Sequence, residues 1–178
     1  MKVVREKTAD ELEARAKAIV LRQLTMNART REQLRQTLHK REVDAELAER
    51  VLDRMEEVGL VDDLGYAQEY VRQRRVSRGS GRRALAMELQ RKGVPETIIN
   101  EVLEPVDADD ERNVARDLVR KKWRSVAGLE PEARRRRLAA ILGRRGYSAG
   151  LSFEVIREIE RENEVDSLDP ADNPSLDR

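Results

Sequence analysis

Apolar residues along this chain repeat as one pattern written three times. The first copy is Leu34, Leu38, Val43, Leu47, Val51, Leu52 and Met55. The second is Leu85, Leu89, Val94, Ile98, Val102, Leu103 and Val106, and the third is Leu138, Leu142, Tyr147, Leu151, Val155, Ile156 and Ile159. Spacings within the copies are identical, and the copies lie 51 and 53 residues apart (34 to 85, 85 to 138). A period of this length marks a tandem array of small units, each needing its neighbours to cover its apolar face. Steps of three and four residues place the apolar side chains on one face of a helix.

Cap residues cut the polar positions between them into helices. Thr8 with Glu11, and Thr30 with Gln33, have the spacing of capping boxes, in which hydroxyl and carboxyl or amide each satisfy an orphan backbone N–H. These open helices predicted to end near Leu24 and Lys40. Asp44 opens a third, ending before Gly59; Asp62 opens a fourth, broken by Gly79-Ser80-Gly81, where Ser80 is the expected cap of the fifth. Gly93 closes the fifth, and Pro95 starts the sixth with its φ already set. Asp107 opens a seventh that Gly128 ends, Pro131 an eighth that Gly146 closes, and Ser148 a ninth that fades after Glu160.

Nine helices in three groups give an all-α fold: an elongated tandem array of three three-helix repeats without β-sheet. The expected divisions are 1–60, 61–106, 107–163 and an acidic, disordered tail at 164–178. Each repeat turns a tight corner, at Lys40-Arg41-Glu42-Val43, Arg91-Lys92-Gly93-Val94 and Arg144-Arg145-Gly146-Tyr147. Two corners carry Gly where a helix C-terminus calls for positive φ; the first carries Glu42. The lead helices offer Ile19, Tyr70 and Trp123, each 15 residues before the matching leucine.

Composition narrows the function. Aromatic residues are 3% of the 178 and charged residues 40%, which suits helical surfaces better than a substrate pocket. Without cysteine there is no disulfide, thiolate metal site or thiol nucleophile. No stretch is long and apolar enough to span a membrane, and the charged N-terminus lacks the apolar core of a secretory signal, so a cytoplasmic location is expected. Neither phosphate-binding glycine motif occurs. His39 is the sole histidine and sits among polar residues, as a solvated side chain would. Asp62 and Asp63 are adjacent carboxylates that could hold a cation, but a helix N-terminus favours acids through its dipole. Aromatic side chains fall largely on the apolar stripe, which reads as core rather than as a base-stacking platform. No catalytic residue, metal or cofactor is expected.

Charge is what remains. The net charge is +1, yet Arg72–Lys92 holds eight basic residues against one acidic, and Arg116–Arg145 holds eleven against three. Residues 160–178 reverse the balance, with seven acidic and two basic. Part of this is solubilising surface, because four consecutive arginines, Arg134–Arg137, spread around a helix axis. The sharper reading is a basic groove for phosphate or for an acidic protein surface, for which arginine is well suited. On charge alone the candidate contacts are Arg74, Arg75, Arg78, Arg82, Arg83, Lys92, Lys121, Lys122 and Arg135.

Several segments resemble the RecX family. Gly59-Leu60-Val61-Asp62-Asp63-Leu64-Gly65-Tyr66-Ala67 is similar to that family's Gly-Leu-Ile/Leu-Asp-Asp-x-x-Phe/Tyr-Ala motif. Residues 82–94 resemble its central repeat, and Arg144–Ser148 with Val155–Glu158 its C-terminal repeat. The resemblance spans roughly Ala14 to Glu160. Ala149-Gly150-Leu151 lengthens the third corner, and the acidic tail lies outside the family pattern. The resemblance implies a regulator of the RecA recombinase that binds the RecA–DNA filament along its groove and opposes ATP hydrolysis, strand exchange and coprotease action. It implies no chemistry by the regulator itself. The expected partners are the RecA filament and single-stranded DNA, with no membrane, and the expected state is a monomer. A nucleic-acid-binding helical protein with no protein target is the alternative, and a helical scaffold whose basic faces only solubilise is a third.

Overall fold

The computed structural model describes residues 8–166, with side chains described as far as Glu164. All regular structure in that span is helical: α1 (Ala9–Met26), α2 (Arg31–Lys40), α3 (Ala45–Glu57), α4 (Asp63–Arg78), α5 (Arg82–Arg91), α6 (Glu96–Leu103), α7 (Ala108–Trp123), α8 (Pro131–Arg144) and α9 (Ala149–Asp166). Of the tail expected at 164–178, residues 164–166 belong to α9 and residues 167–178 lie outside the described residues. Two compact units emerge. Unit 1 contains the described residues up to Gln73 together with Ala86–Glu104; unit 2 contains Arg74–Leu85 and the described residues from Pro105 onward.

The caps account for most of the helix starts. Both capping boxes form, Thr8 with Glu11 and Thr30 with Gln33. Asp44 accepts from the Leu47 N–H, Asp107 from Asp110 and Asp62 from Gly65, at 2.8–3.0 Å. Pro131 occupies the first turn of α8, and the Ser148 hydroxyl accepts from Leu151. Four boundaries differ from expectation. Gly81, not Ser80, is the cap of α5, since its carbonyl accepts the first intrahelical bond from Leu85. Pro95 is the cap of α6 rather than its first residue, its carbonyl accepting from Ile99. Helix α7 ends at Trp123 instead of Gly128, because the turn that follows tucks Val126 into the core. Finally, α9 continues past Glu160 to Asp166.

The repeated stripe is the core. In unit 1, Leu34, Leu38, Leu47, Val51, Leu52 and Met55 pack with Ala16, Val20 and Val61 from the flanking segments. In unit 2, Leu138, Leu142, Tyr147, Val155, Ile156 and Ile159 pack with Ala115, Val119 and Val126. Leu85, Leu89, Val94, Val102, Leu103 and Val106 are likewise buried; Val43, Ile98 and Leu151 are half-buried. Each fully buried Leu or Ile contributes about 1.5–3 kcal/mol of apolar burial.

The three corners share one hydrogen-bond pattern. The residue after the corner donates back across it: Val43 to the Leu38 carbonyl, Val94 to Leu89 and Tyr147 to Leu142, at 3.1, 3.2 and 3.2 Å. This six-to-one bond is the Schellman closure, and it needs a left-handed residue just before the donor. Glu42, Gly93 and Gly146 supply it with φ of 57, 76 and 89°.

Corners two and three also meet a helix start in the preceding repeat, through equivalent positions. In unit 1 the Thr30 hydroxyl donates to the Lys92 carbonyl at 2.6 Å, and in unit 2 the Gly81 N–H donates to the Arg145 carbonyl at 2.8 Å. A carboxylate from the following lead helix takes the next N–H along: Asp63 accepts from Arg31, and Glu111 from Arg82, each at 2.8 Å. Backbones approach closely here. A Cβ at Gly93 would run into Glu32, and one at Gly146 would lie 2.5 Å from the Ala84 nitrogen. In the first corner Glu42 is exposed.

Candidate functional site

Beside the junction in unit 2 lies an open cleft of about 600 Å³ between the end of α4 and α7. Arg75, Val76, Arg78 and Gly79 form one wall, Val114, Asp117, Leu118, Lys121 and Lys122 the other, and Arg145 reaches in from the third corner. Successive turns of α7 put Val114, Leu118 and Lys121/Lys122 along one side. The Arg145 guanidinium donates to the Arg78 carbonyl, and the Tyr147 hydroxyl donates to the Gly79 carbonyl at 2.9 Å. Those two bonds fix the end of α4 and so one lip of the cleft. Burial pushes the Tyr147 phenol up to about 12, so it stays a neutral donor.

The nine basic residues singled out from charge meet different fates. Arg78, Lys121 and Lys122 are exposed, line the cleft and make no side-chain ion pair among the described residues. Arg75 also lines it, but its side chain is only 14% exposed and is bound to Asp110 across to α7. Arg82 is half-buried, its guanidinium reaching the Val106 carbonyl at 3.3 Å. Arg74 is half-buried outside the cleft lining, and Arg83 is exposed on α5. Arg135 on α8 donates to the buried Glu160 at 2.7 Å. Lys92 belongs to unit 1, where its ammonium sits 5.0 Å from the centre of the Tyr70 ring. Thus four of the nine converge on one cleft. Arg145, which joins them, was not singled out, although the corners carry a base at its position in all three repeats: Arg41, Lys92 and Arg145.

Unit 1 carries the repeat-equivalent cleft, of about 550 Å³, between the end of α1 and α4. Offsets of 51 and 53 residues pair Leu24 with Arg75, Asn27 with Arg78, Ala28 with Gly79, Gly65 with Leu118 and Glu69 with Lys122. Its chemistry is different. Tyr66 and Tyr70 stack with ring centres 6.2 Å apart and 14° between planes. Asp62 and Glu69 supply carboxylates, and Arg72 holds Glu69 below the usual carboxylate range by a direct hydrogen bond.

This corrects part of the assignment of the aromatics to the core, which holds for Tyr147 and for Trp123 packed against the unit 2 core. Tyr147 is buried, but Tyr66, Tyr70 and Trp123 are half-buried and Phe153 is 50% exposed. Trp123 lies under the Arg134 guanidinium at 4.8 Å, while Arg134 and Arg135 both reach Glu160. The Asp62-Asp63 pair works as caps on two helices: Asp62 on its own α4 and Asp63 on α2. Burial raises the Asp63 carboxyl above its ordinary range while the Arg31 N–H opposes the shift. Among the described residues no group of His, Asp or Glu is placed to hold a metal, and no helix is long and apolar enough to cross a membrane.

Three consecutive three-helix domains, closed by one kind of corner and joined by one kind of junction, define a tandem helical-array protein. The chain belongs to the RecX family: the first, second and third three-helix domains of RecX match residues 16–55, 62–103 and 109–156. The Regulatory protein RecX of Streptomyces coelicolor is 48% identical over 150 residues, spanning 84% of this chain and 80% of its own length. That of Thermobifida fusca is 45% identical over 163 residues, spanning 90% and 88%. The crystal structure of RecX from Lactobacillus salivarius shares the fold with a TM-score of 0.76 at 18% identity, over 86% of this chain and 99% of that one.

Proposed function

We propose that this chain regulates the RecA recombinase without chemistry of its own. In this reading it acts in the cytoplasm as a monomer. It binds in the groove of the RecA–DNA filament, restrains the mutual motion of protomers and so inhibits ATP turnover, strand exchange and coprotease action. Contacts to several protomers would add through effective concentration, so each can be weak. The observation that carries the reading is the cleft where Arg78, Lys121 and Lys122 make no ion pair among the described residues, beside the carbonyl-anchored Arg145. Other cations of α7 are paired. Arg112, Arg116 and Arg120, for example, pair with Glu154, Glu158 and Glu162. Cations left unpaired around the apolar floor of Val114 and Leu118 suit an acidic protein surface or a phosphate backbone.

Co-sedimentation with preformed RecA–DNA filaments, against the same DNA alone, tests it, with RecA ATPase as the second readout. The triple variant R78E/K121E/K122E should bind filaments at least tenfold more weakly and lose inhibition in parallel while its circular dichroism is unchanged. Unaltered inhibition by this variant would refute the cleft. Equal binding to naked DNA and to filaments would instead support a nucleic-acid binder with no protein target, and each phosphate contact removed would then lower the salt slope by about one.

A further inference from the structure

The cleft of unit 1 holds a set of groups that the reading above does not use. Asp62 is exposed; its Oδ1 accepts from the Gly65 N–H at 2.9 Å, and it forms no ion pair among the described residues. Gly65 is what lets the carboxylate sit there, since a Cβ at 65 would fall 2.5 Å from Asp62 Oδ2. Next to it stand the stacked rings of Tyr66 and Tyr70. Lys92 already lies over Tyr70, so this aromatic pair attracts a cation within its own chain. Leu24, Ala28 and Leu60 supply apolar surface, with Leu60 half in solvent. Facing them is Arg29, whose Nε–H is buried without a hydrogen-bond acceptor.

We infer that this cleft receives an arginine side chain presented by a backbone segment of a partner protein. Its guanidinium fits against the Tyr66 ring and hydrogen-bonds the Asp62 carboxylate, a charge-assisted pair with the planar geometry that arginine favours. The alkyl stem covers Leu60 and Leu24. That apolar contact is why an arginine side chain rather than a small inorganic cation is the better occupant. Tyrosine with arginine in a partly desolvated pocket is the composition of an interface hot spot. The equivalent cleft in unit 2 presents Lys122 where this one has Glu69 and Arg78 where this one has Asn27, so the same groove recurs with a more basic lining.

The test is an NMR titration of the full chain with the blocked peptide acetyl-Gly-Gly-Arg-Gly-Gly-amide, its Glu counterpart and a thymidine oligonucleotide. Saturable shifts centred on Asp62, Tyr66 and Arg29 are expected with the Arg peptide alone. Asp62→Asn keeps the helix cap, because Asn caps as well as Asp, yet should weaken the peptide at least fivefold, and Tyr66→Leu should do the same. Lys121→Glu with Lys122→Glu should leave this binding unchanged, so the outcome is independent of the RecA reading. Equal shifts with the Glu peptide, full affinity in a folded Asp62→Asn, or oligonucleotide shifts centred on Tyr66 would each overturn the proposal.

Discussion

The two junctions of this protein are the same joint built twice and finished differently. In both, a corner carbonyl accepts from the cap residue of the preceding repeat's second helix, a lead-helix carboxylate takes the next N–H, and a glycine lets the backbones close. In both, a cleft opens beside the joint. The donors are a threonine hydroxyl at one joint and a bare glycine N–H at the other, and the clefts carry different side chains at equivalent positions. The joint is thus fixed by hydrogen bonds to backbone groups and close approach, while the walls beside it are free to take on different chemistry. This is the division between scaffold and recognition surface expected of a repeat protein.

The hardest way to break the comparison is at the glycines. Gly146→Ala forces a side chain into positive φ, which costs about 1 kcal/mol, and drives its Cβ to 2.5 Å from backbone Ala84, which cannot step aside. A loss of about 3 kcal/mol is expected, read as a lower urea midpoint. Gly93→Ala meets the Glu32 side chain instead. It should cost somewhat less, because part of that side chain can turn away. Equal stability of Gly146→Ala and the parent chain would mean that the third corner does not dock on α5.

A second test separates the cleft walls. Arg75 occupies the position of Leu24, but it is nearly buried and tied to Asp110, whose carboxylate is 43% exposed. Asp110→Ala strands a buried guanidinium, one of whose nitrogens already lacks a partner, and should cost about 2 kcal/mol. Arg75→Leu imports the residue of the first joint and strands only a solvated carboxylate, so it should cost under about 1 kcal/mol. Reversal of that order in thermal melts would show that the pair, not the burial, governs the site.

Smaller again is the carboxylate cap across the first joint. Asp63→Ala removes the acceptor of the Arg31 N–H and should cost about 1 kcal/mol. Asp63→Asn keeps an acceptor oxygen and removes the half-buried charge, so it should be near neutral at pH 7. The pH dependence has a definite sign. Burial raises the folded-state carboxyl above its unfolded value, so the fold favours the protonated form. Its contribution to stability is present below the unfolded value near 4 and is lost as pH rises through the raised one. Asp63→Asn should flatten the stability curve in that window; a steeper curve would assign the shift to another carboxylate.

What the sequence made legible follows from what was local. Thr8 with Glu11, Thr30 with Gln33, Asp44 and Asp107 satisfy N–H groups three residues away, and all four behave as their spacing says. Ser80 fails as a cap because Gly81 at that joint is held by Arg145, a partner 64 positions along the chain (81 to 145). Charge density led to the region of the unit 2 cleft, but it could not separate Arg78 from Arg75 three residues earlier. Which of them stays in solvent depends on Asp110 from another helix. The tyrosines were misread for the same reason: Tyr66 and Tyr70 carry helical spacing, yet the face they share opens onto a cleft. Arg29 and its orphaned donor left no trace in the pattern.

The first corner sharpens the comparison with the smallest effect. Glu42 holds φ at 57° with a full side chain, in the conformation that Gly93 and Gly146 adopt without strain. The difference is in what lies opposite. The second and third corners face Glu32 and Ala84, whereas Glu42 is exposed and has room for its side chain. Left-handed backbone costs a non-glycine residue about 1 kcal/mol, and glycine gives back part of that through its larger freedom in the unfolded chain. Glu42→Gly should therefore stabilise by only about 0.5 kcal/mol, a shift of a few degrees in Tm. A loss of stability on that substitution would mean that the Glu42 side chain makes a favourable contact, and close approach would no longer explain why two corners are glycine and one is not.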